Sequence, residues 1–332
     1  MALRALHDVP APAKLNLFLH VVGRRDDGYH LLQSLFVLID WADRLHFELR
    51  EDGRLARHDI DSSDSGAPGG TAPLPADDLC LRAARALAQA SGTSFGADIH
   101  LDKRLPAGAG MGGGSSDAAS VLLALNRLWG LHWPRARLAE LGLGLGADVP
   151  FFVHGENAFV EGIGERITPL AVPVLGYAVV KPAASIDTRS IFTHPALRRD
   201  TAPVILTGFP GDRADVAASG DTGPGEPPLG ARWARQGFGR NDLQPPAEDR
   251  CPEVAAAARW LEQRFGNSRM TGSGSAVFAR VESSPGTAAS PEAMPAPAGG
   301  PGFDPAALPA GWVGRMCRGL ARHPLADWAG RE

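Results

Sequence analysis

The sequence predicts an α+β fold of two domains, with mixed or antiparallel sheets packed by helices. Three observations predict it. At 332 residues the chain is long for a single core, and two domains are its natural division. Up to Leu49 it holds three apolar segments of strand length in succession, the pattern of an antiparallel or mixed sheet rather than of alternating βαβ units. Clear helical periodicity begins only at Leu79.

Leu15 to Val22 reads as a strand, because Leu15, Leu17, Leu19 and Val21 alternate with Asn16, Phe18 and His20. Gly23 to Gly28 is a polar turn, Leu31 to Ile39 a second strand and Leu45 to Leu49 a third. Asp52 to Pro75 is rich in Gly, Ser, Asp and Pro and is expected to be a loop. Leu79 to Ala90 spaces Ala and Leu as a helix does, and Ala97 to Leu101 is a short strand. Ser115 to Leu128 is the clearest helix, with Ala118, Val121, Leu122, Leu125 and Leu128 on one face. Pro134 opens a further helix ending near Gly142, at a position where helix starts tolerate proline. Asp212 to Gly230 and Ser283 to Pro309 are dominated by Ala, Pro, Gly, Ser and Thr, and are expected to stay poorly ordered for want of apolar surface to bury. A boundary near Thr168 to Pro173 divides an N-terminal domain, residues 1–170, from a C-terminal domain, residues 171–332.

Composition narrows the function. A net charge of −4 argues against a general nucleic-acid binder, which carries a basic surplus. Cys80, Cys251 and Cys317 are far apart with no C-x-x-C spacing, which argues against a zinc or redox motif and fits a reducing, cytoplasmic compartment. The N-terminus has no apolar signal region, and no run of apolar residues is long enough to span a membrane. Only Lys14, Lys103 and Lys181 among the 33 basic residues are lysine, so each lysine position merits attention.

The strongest chemical signal runs from Pro106 to Ser116, Pro-Ala-Gly-Ala-Gly-Met-Gly-Gly-Gly-Ser-Ser. Glycines let backbone N–H groups turn inward, and the helix that follows adds free N–H groups and a partial positive charge. Together these suit a phosphate. Pro106, Ala107, Gly108, Ala109, Gly110, Met111, Gly112, Gly113, Gly114, Ser115 and Ser116 are therefore the candidate ATP-binding residues. Ser115 and Ser116 can cap the helix, donate to phosphate or hold Mg²⁺, and a flexible loop with a serine cap is the bland alternative.

Other phosphate motifs fail. No Gly-Lys pair exists, which removes a Walker A loop. Gly108, Gly110 and Gly113 satisfy G-x-G-x-x-G, but the helix leads to Trp133-Pro134 and another helix, not to the strand a dinucleotide fold needs. The serine-hydrolase elbow G-x-S-x-G is broken at Asp117.

Pro12-Ala13-Lys14-Leu15-Asn16-Leu17, Gly28-Tyr29-His30, Pro106 to Ser116, Gly146-Ala147-Asp148-Val149-Pro150 and Thr271-Gly272-Ser273-Gly274-Ser275 occur in that order. In these segments the chain resembles the GHMP kinase superfamily, named for galacto-, homoserine, mevalonate and phosphomevalonate kinases. The resemblance covers about Pro10 to Arg280, apart from Asp212 to Gly230. The glycine loop alone identifies only the superfamily. The Pro-Ala-Lys-Leu-Asn opening with Asp-Gly-Tyr-His narrows it to the branch acting on a cytidylated methylerythritol in the non-mevalonate isoprenoid pathway. Asp78 stands where that pattern carries Asn, which bears on contacts to the nucleotide.

The resemblance implies a two-domain kinase with its active site in the interdomain cleft, moving the γ-phosphoryl group of ATP to the 2-hydroxyl of this small-molecule acceptor. Asp148 is the candidate base. By sequence it could equally cap a helix starting at Pro150, and the resemblance favours catalysis. Lys14 is the candidate cation near the attacking oxygen, with a surface lysine as its alternative. Asn16 shares a strand face with Lys14 and is a substrate contact or a sheet-edge hydrogen bonder. Tyr29, His30, Phe36 and Phe192 are implied as the cytidine pocket, with Thr188 a weaker contact. Any lone aromatic among them could instead be core. Gly272, Ser273, Gly274 and Ser275 are a second anion nest, a hairpin turn, or both. Mg²⁺ accompanies ATP, and no metal cluster is apparent in the sequence. The alternatives are a related kinase with a different alcohol, and a non-catalytic ATP-binding module. No nucleic-acid or membrane partner is expected.

Overall fold

Two long strands frame the molecule. In the computed structural model, which describes residues 3–60, 74–204, 239–281 and 303–330, β1 (Ala5–Arg24) pairs antiparallel with β2 (His30–Arg50). The second and third predicted strands are thus one, continuous through polar Asp40 to Arg44. The register of β1 shifts between Pro12 and Lys14 and again between Asn16 and Leu19. Such bulges bend a strand and re-aim its side chains, and these two bracket the segment that presents Lys14 and Asn16.

β3 (Leu55–Ile60) runs parallel to β4 (Gly96–Asp102) within the stretch expected to be loop. It is an edge strand with no fully buried residue, held by backbone pairing and by the Arg57–Asp78 ion pair at 3.0 Å, so its composition is polar. β5 (Ala158–Gly162) pairs with β2 and with β6 (Arg166–Pro169). β7 (Gly176–Lys181), β8 (Arg269–Met270), β9 (Val277–Val281) and β10 (Val313–Leu320) complete a sheet in the order β3-β4-β2-β10-β7-β9-β8. β10 stitches the halves together, pairing along β7 and reaching Leu38 and Ile39 of β2 with its last residues.

The segment Ser283 to Pro309 departs from expectation at its C-terminal end. Phe303 is 3% exposed and packs edge-on against Trp260 at 5.8 Å, ahead of a 3-10 turn over Pro305–Ala307 capped by Asp304. This buried aromatic fixes the described end of the segment, and residues 283–302 lie outside the described residues. The Asp212 to Gly230 stretch lies outside the described residues.

α1 (Leu79–Ser91), α2 (Gly113–Leu128), α3 (Arg135–Leu143) and α4 (Val149–His154) pack together on β1 and β2. α5 (Thr188–Phe192), α6 (Gln244–Arg250) and α7 (Pro252–Phe265) belong to the other half. α2 is buried on more than its apolar stripe. Its polar residues bond inward, Ser116 Oγ to the Pro12 carbonyl (2.6 Å) and Ser120 Oγ to the Pro10 carbonyl (2.9 Å). Satisfied this way, buried hydroxyls cost little, and they fix the start of α2 against the segment leading to Lys14. No described helix is long and apolar enough to cross a membrane.

Candidate active site

The glycine-rich stretch forms one wall of a groove of about 520 Å³, which Pro106 to Ser115 line together with Asp78, Leu79, Arg82, Lys103 and Asp117. Gly112 caps α2 in the left-handed region (φ 72°) with no side-chain cap, so the N–H groups of the first turn keep no intrahelical acceptor. A Cβ on Gly112 would lie 3.0 Å from the Phe152 ring and 3.4 Å from Lys14 Cε, so the loop passes close behind the lysine. The Met111 carbonyl accepts from the Lys14 amide at 3.0 Å. Ser115 faces the groove. Ser116 does not: its amide and hydroxyl are spent on Gly112 and Pro12, which makes it a packing residue rather than a phosphate donor. Asp78, the position that departs from the family pattern, caps α1 through Leu81 N (3.1 Å) while pairing with Arg57.

Lys103 sits beneath this loop between two carboxylates, Asp43 and Asp117, the latter at 2.7 Å. Burial pulls its pKa down, but Asp117 and Asp43 outweigh burial and hold the ammonium above its ordinary value. Asp117 is pushed up to about 8, first by burial and also by the neighbouring Asp43, against the pull of Lys103. Asp43 also accepts from the amides of Arg104 (2.6 Å) and Leu105 (2.7 Å), fixing the chain where it enters the loop. The scarcity of lysine singles out Lys103, but nothing in sequence pairs it with Asp43. The third lysine, Lys181, donates to the carbonyls of Pro182 and Ala184 and is structural.

A second, smaller cavity holds Lys14, whose Cε lies 3.4 Å from where a Cβ of Gly112 would stand. It is lined by Lys14, Asn16, Phe36, Asp148, Thr188, Phe192, Gly272 and Ser273 among others. Lys14 is 3% exposed. Its Nζ lies 2.6 Å from Asn16 Oδ1, 3.6 Å from Asp148 Oδ2 and 4.3 Å from the centre of the Phe36 ring. Burial pushes its pKa below the ordinary lysine value, and Asp148 offsets this in part. Asp148 occupies the cap position of α4, yet its side chain makes no capping hydrogen bond, so the carboxylate stays available to the cavity. Asn16 is held from three sides: Nδ2 donates to Ser34 Oγ (2.9 Å), Thr271 Oγ1 donates to Oδ1 (3.2 Å), and the Asn16 amide donates to Thr271 Oγ1 (3.0 Å). Ser34 carries no signal in sequence for this role, since a single hydroxyl in a strand is ordinary, whereas Thr271 opens the second glycine-serine segment.

The second glycine turn is a hairpin between β8 and β9, clasped to the first loop. Ser275 N and Ala276 N donate to the carbonyls of Gly108 and Ala109, both at 3.1 Å, and Gly274 N donates to Thr271 O at 3.0 Å. A Cβ on Gly110 (φ 74°) would stand 2.3 Å from the Thr271 carbonyl oxygen. The reading of Gly272 to Ser275 as a free anion nest is therefore corrected. The amides of Gly274 and Ser275 already bond protein, and only Gly272 and Ser273 reach the cavity.

The aromatic residues separate. His30 and Phe192 lie against each other with ring centres 5.0 Å apart and planes tilted by 31°. Tyr29 stands 60% exposed at the turn before β2. Phe36 lies apart from them, as the floor under Lys14 and edge-on to Phe151 at 5.1 Å. Thr188 Oγ1 meets Ser273 Oγ at 2.7 Å across the cavity mouth.

Residues 78–156 match the model of the GHMP kinases N-terminal domain, and residues 227–290 that of the GHMP kinases C-terminal domain. The chain is 56% identical to 4-diphosphocytidyl-2-C-methyl-D-erythritol kinase of Methylibium petroleiphilum, over 99% of this chain and 100% of the relative. It is 51% identical to the kinase of the same name from Paracidovorax citrulli, over 99% and 100%. Among solved structures it is similar to a 4-(cytidine 5'-diphospho)-2C-methyl-D-erythritol kinase at 36% identity and a TM-score of 0.62, covering 82% of this chain and 88% of that one. It shares its fold with a homoserine kinase from Cytophaga hutchinsonii at 17% identity and a TM-score of 0.58, over 84% and 86%. Identity at this level over nearly the whole chain places the protein in the GHMP kinases, as a member of the 4-diphosphocytidyl-2-C-methyl-D-erythritol kinase family.

Proposed function

We propose that the chain transfers the γ-phosphoryl group of ATP to the 2-hydroxyl of 4-diphosphocytidyl-2-C-methyl-D-erythritol. The observation that carries the reading is the Lys14–Asp148 pair, 3.6 Å apart in a cavity, with Lys14 Cε 3.4 Å from where a Cβ of Gly112, in the wall of the glycine-lined groove, would stand. An acceptor hydroxyl entering this cavity meets a carboxylate that can take its proton and an ammonium that stabilises the developing alkoxide. Asn16 holds the ammonium toward that point. The phosphates of ATP lie along the amides of the glycine loop and the first turn of α2, which keep their charge in place without reorganising. Phosphoryl transfer asks the protein chiefly for this positioning and charge stabilisation.

Mg²⁺ bound to ATP supplies further neutralisation of phosphate charge. Among the described residues no three His, Cys, Asp or Glu side chains cluster to hold a metal ion by themselves. Ser115, at the groove, is the hydroxyl that fits such a nucleotide-borne ion. Residues 1–170 and 171–332 are taken as the two domains, in keeping with β6 ending at Pro169 and β7 opening at Gly176. A cytoplasmic site of action fits three free, buried cysteines.

The test is ADP release from MgATP with and without the cytidylated acceptor, with the product identified by its phosphorus NMR spectrum. Acceptor-dependent release that yields a 2-phosphate supports the reading. Release with a different alcohol in its place would leave the kinase and remove this substrate.

A further inference from the structure

The motif-bearing residues leave Arg199 unassigned, and its contacts are unusually complete. Its Nε donates to His30 Nε2 at 3.1 Å, and its Nη2 donates to the carbonyls of Phe192 and His194, each at 3.0 Å. Its Nη1 donates to the Leu197 carbonyl at 3.0 Å. One planar guanidinium thus ties His30, where β2 begins, to Phe192, where α5 ends, and these are the two rings in tilted contact at 5.0 Å.

This geometry fixes chemistry as well as position. A guanidinium has no acceptor and stays protonated. His30 Nε2 is therefore the acceptor in their hydrogen bond, and the proton of the neutral imidazole lies on Nδ1. Burial first, and then the two cations that face the ring, Arg199 and Arg24 at the end of β1, push the imidazole's pKa below its ordinary value. His30 is held as a neutral ring whose one open polar edge is an N–H donor. Cytosine offers an acceptor at N3. Uracil carries a proton there.

We infer that Arg199 is a positioning residue for the acceptor's base: by holding His30 as an Nδ1–H donor in one unit with Phe192, it makes the platform accept a cytosine and reject a uracil. This rests on the cytidylated-acceptor reading above. A lysine at 199 would keep a cation near His30 but could not reach the same set of acceptors from one rigid plane.

The experiment compares cytidylated and uridylated acceptors for wild type, Arg199→Met and Arg199→Lys, with KM for ATP measured alongside. The ring nitrogens of His30 are followed by ¹⁵N NMR in the full chain. In wild type, Nε2 is expected to be unprotonated at neutral pH, and the cytidylated acceptor preferred by about tenfold or more in kcat/KM. Arg199→Met is expected to raise KM for the cytidylated acceptor by about tenfold while kcat and KM for ATP stay within about threefold. It should also erode the preference for cytosine and let His30 titrate nearer the ordinary histidine value. Arg199→Lys should recover part of the cytosine preference. A protonated Nε2 in wild type overturns the inference. So does an undiminished cytosine preference in Arg199→Met, or a loss that falls equally on ATP and tracks the thermal midpoint. Wild type that ignores the base overturns the cytidylated-acceptor reading itself, whereas wild type that discriminates and a Met variant that still does so remove only the role of Arg199.

Discussion

Replacing Lys14 by methionine should move activity and stability in different directions. The Lys14 ammonium is almost fully buried and stands 3.6 Å from a carboxylate that is 30% exposed. Unit charges at this separation in an effective dielectric near 20 interact by about 5 kcal/mol. An oxygen acquiring charge between the two groups feels attraction of that order, reduced to about 3 kcal/mol by water reaching Asp148, which corresponds to a loss of about 10² in kcat. Stability follows other terms. Burying an ammonium costs several kcal/mol, and the penalty for leaving its partner unpaired is large only where that partner is itself buried, which Asp148, 30% exposed, is not. Methionine keeps the contact with the Phe36 ring, Asn16 Oδ1 keeps the Thr271 hydroxyl, and Asp148 retains water. Lys14→Met should therefore lower kcat by about two orders of magnitude, with a urea midpoint unchanged or higher. A midpoint that falls enough to account for the lost activity, or a kcat within about tenfold of wild type, would refute the reasoning. The pH dependence has a definite sign. Because burial lowers the Lys14 pKa, the folded protein sheds this proton before the unfolded chain does, so stability rises with pH between the lowered value and 10.5. Activity should fall over the same window as the cation is lost, and Lys14→Met should show neither change.

Asp43 is fully buried and joins Lys103 to the amides of Arg104 and Leu105, so Asp43→Ala should destabilise the fold by about 3–5 kcal/mol in denaturant titrations. Gly110→Ala must leave the left-handed region or clash with the Thr271 carbonyl, at about 1–2 kcal/mol for the backbone alone. Opening the clasp should also raise KM for ATP, which fluorescence titration with a nucleotide analogue checks. His323 is pushed down to about 3, first by burial and then by Arg135. The unfolded chain binds its proton near pH 6.5 and the folded chain near 3, so stability falls with acid across that window at up to about 1.4 kcal/mol per pH unit. His323→Gln should flatten this slope in urea midpoints measured from pH 4 to 7.

The sequence made the helices and the glycine loop legible because their signals are local. α1, α2 and α3 follow apolar spacing, and Gly108 to Gly114 declare a backbone that must turn tightly. Contacts at long range were not legible. β2 looked like two strands because Asp43, buried at its centre for the sake of Lys103, interrupts the apolar run. β3 has the composition of a loop because an edge strand can be polar and still pair. Within the site, Lys14 and Asp148 could be named from motif segments, but the carboxylate's freedom from α4 depends on a cap geometry that sequence does not encode. Ser116 turns inward to Pro12 and the Gly272 to Ser275 turn takes the hairpin form, one of the readings open in sequence, for a common reason. Whether a hydroxyl or amide is free for a ligand depends on which carbonyl lies opposite, and Pro12 and Gly108 are distant in the chain. Phe36 shares the cavity but not the aromatic pair, a distinction set by its place under Lys14.

The central claim is that the cavity holding Lys14 and Asp148 activates the acceptor while the neighbouring groove holds the nucleotide. Asp148→Ala tests it most directly, with turnover of the cytidylated acceptor and ATP affinity measured on the same preparation. The account predicts a kcat lowered by about 10²–10⁴ with ATP affinity within about threefold of wild type. A kcat within about tenfold of wild type, or ATP affinity lost in step with turnover, would contradict it.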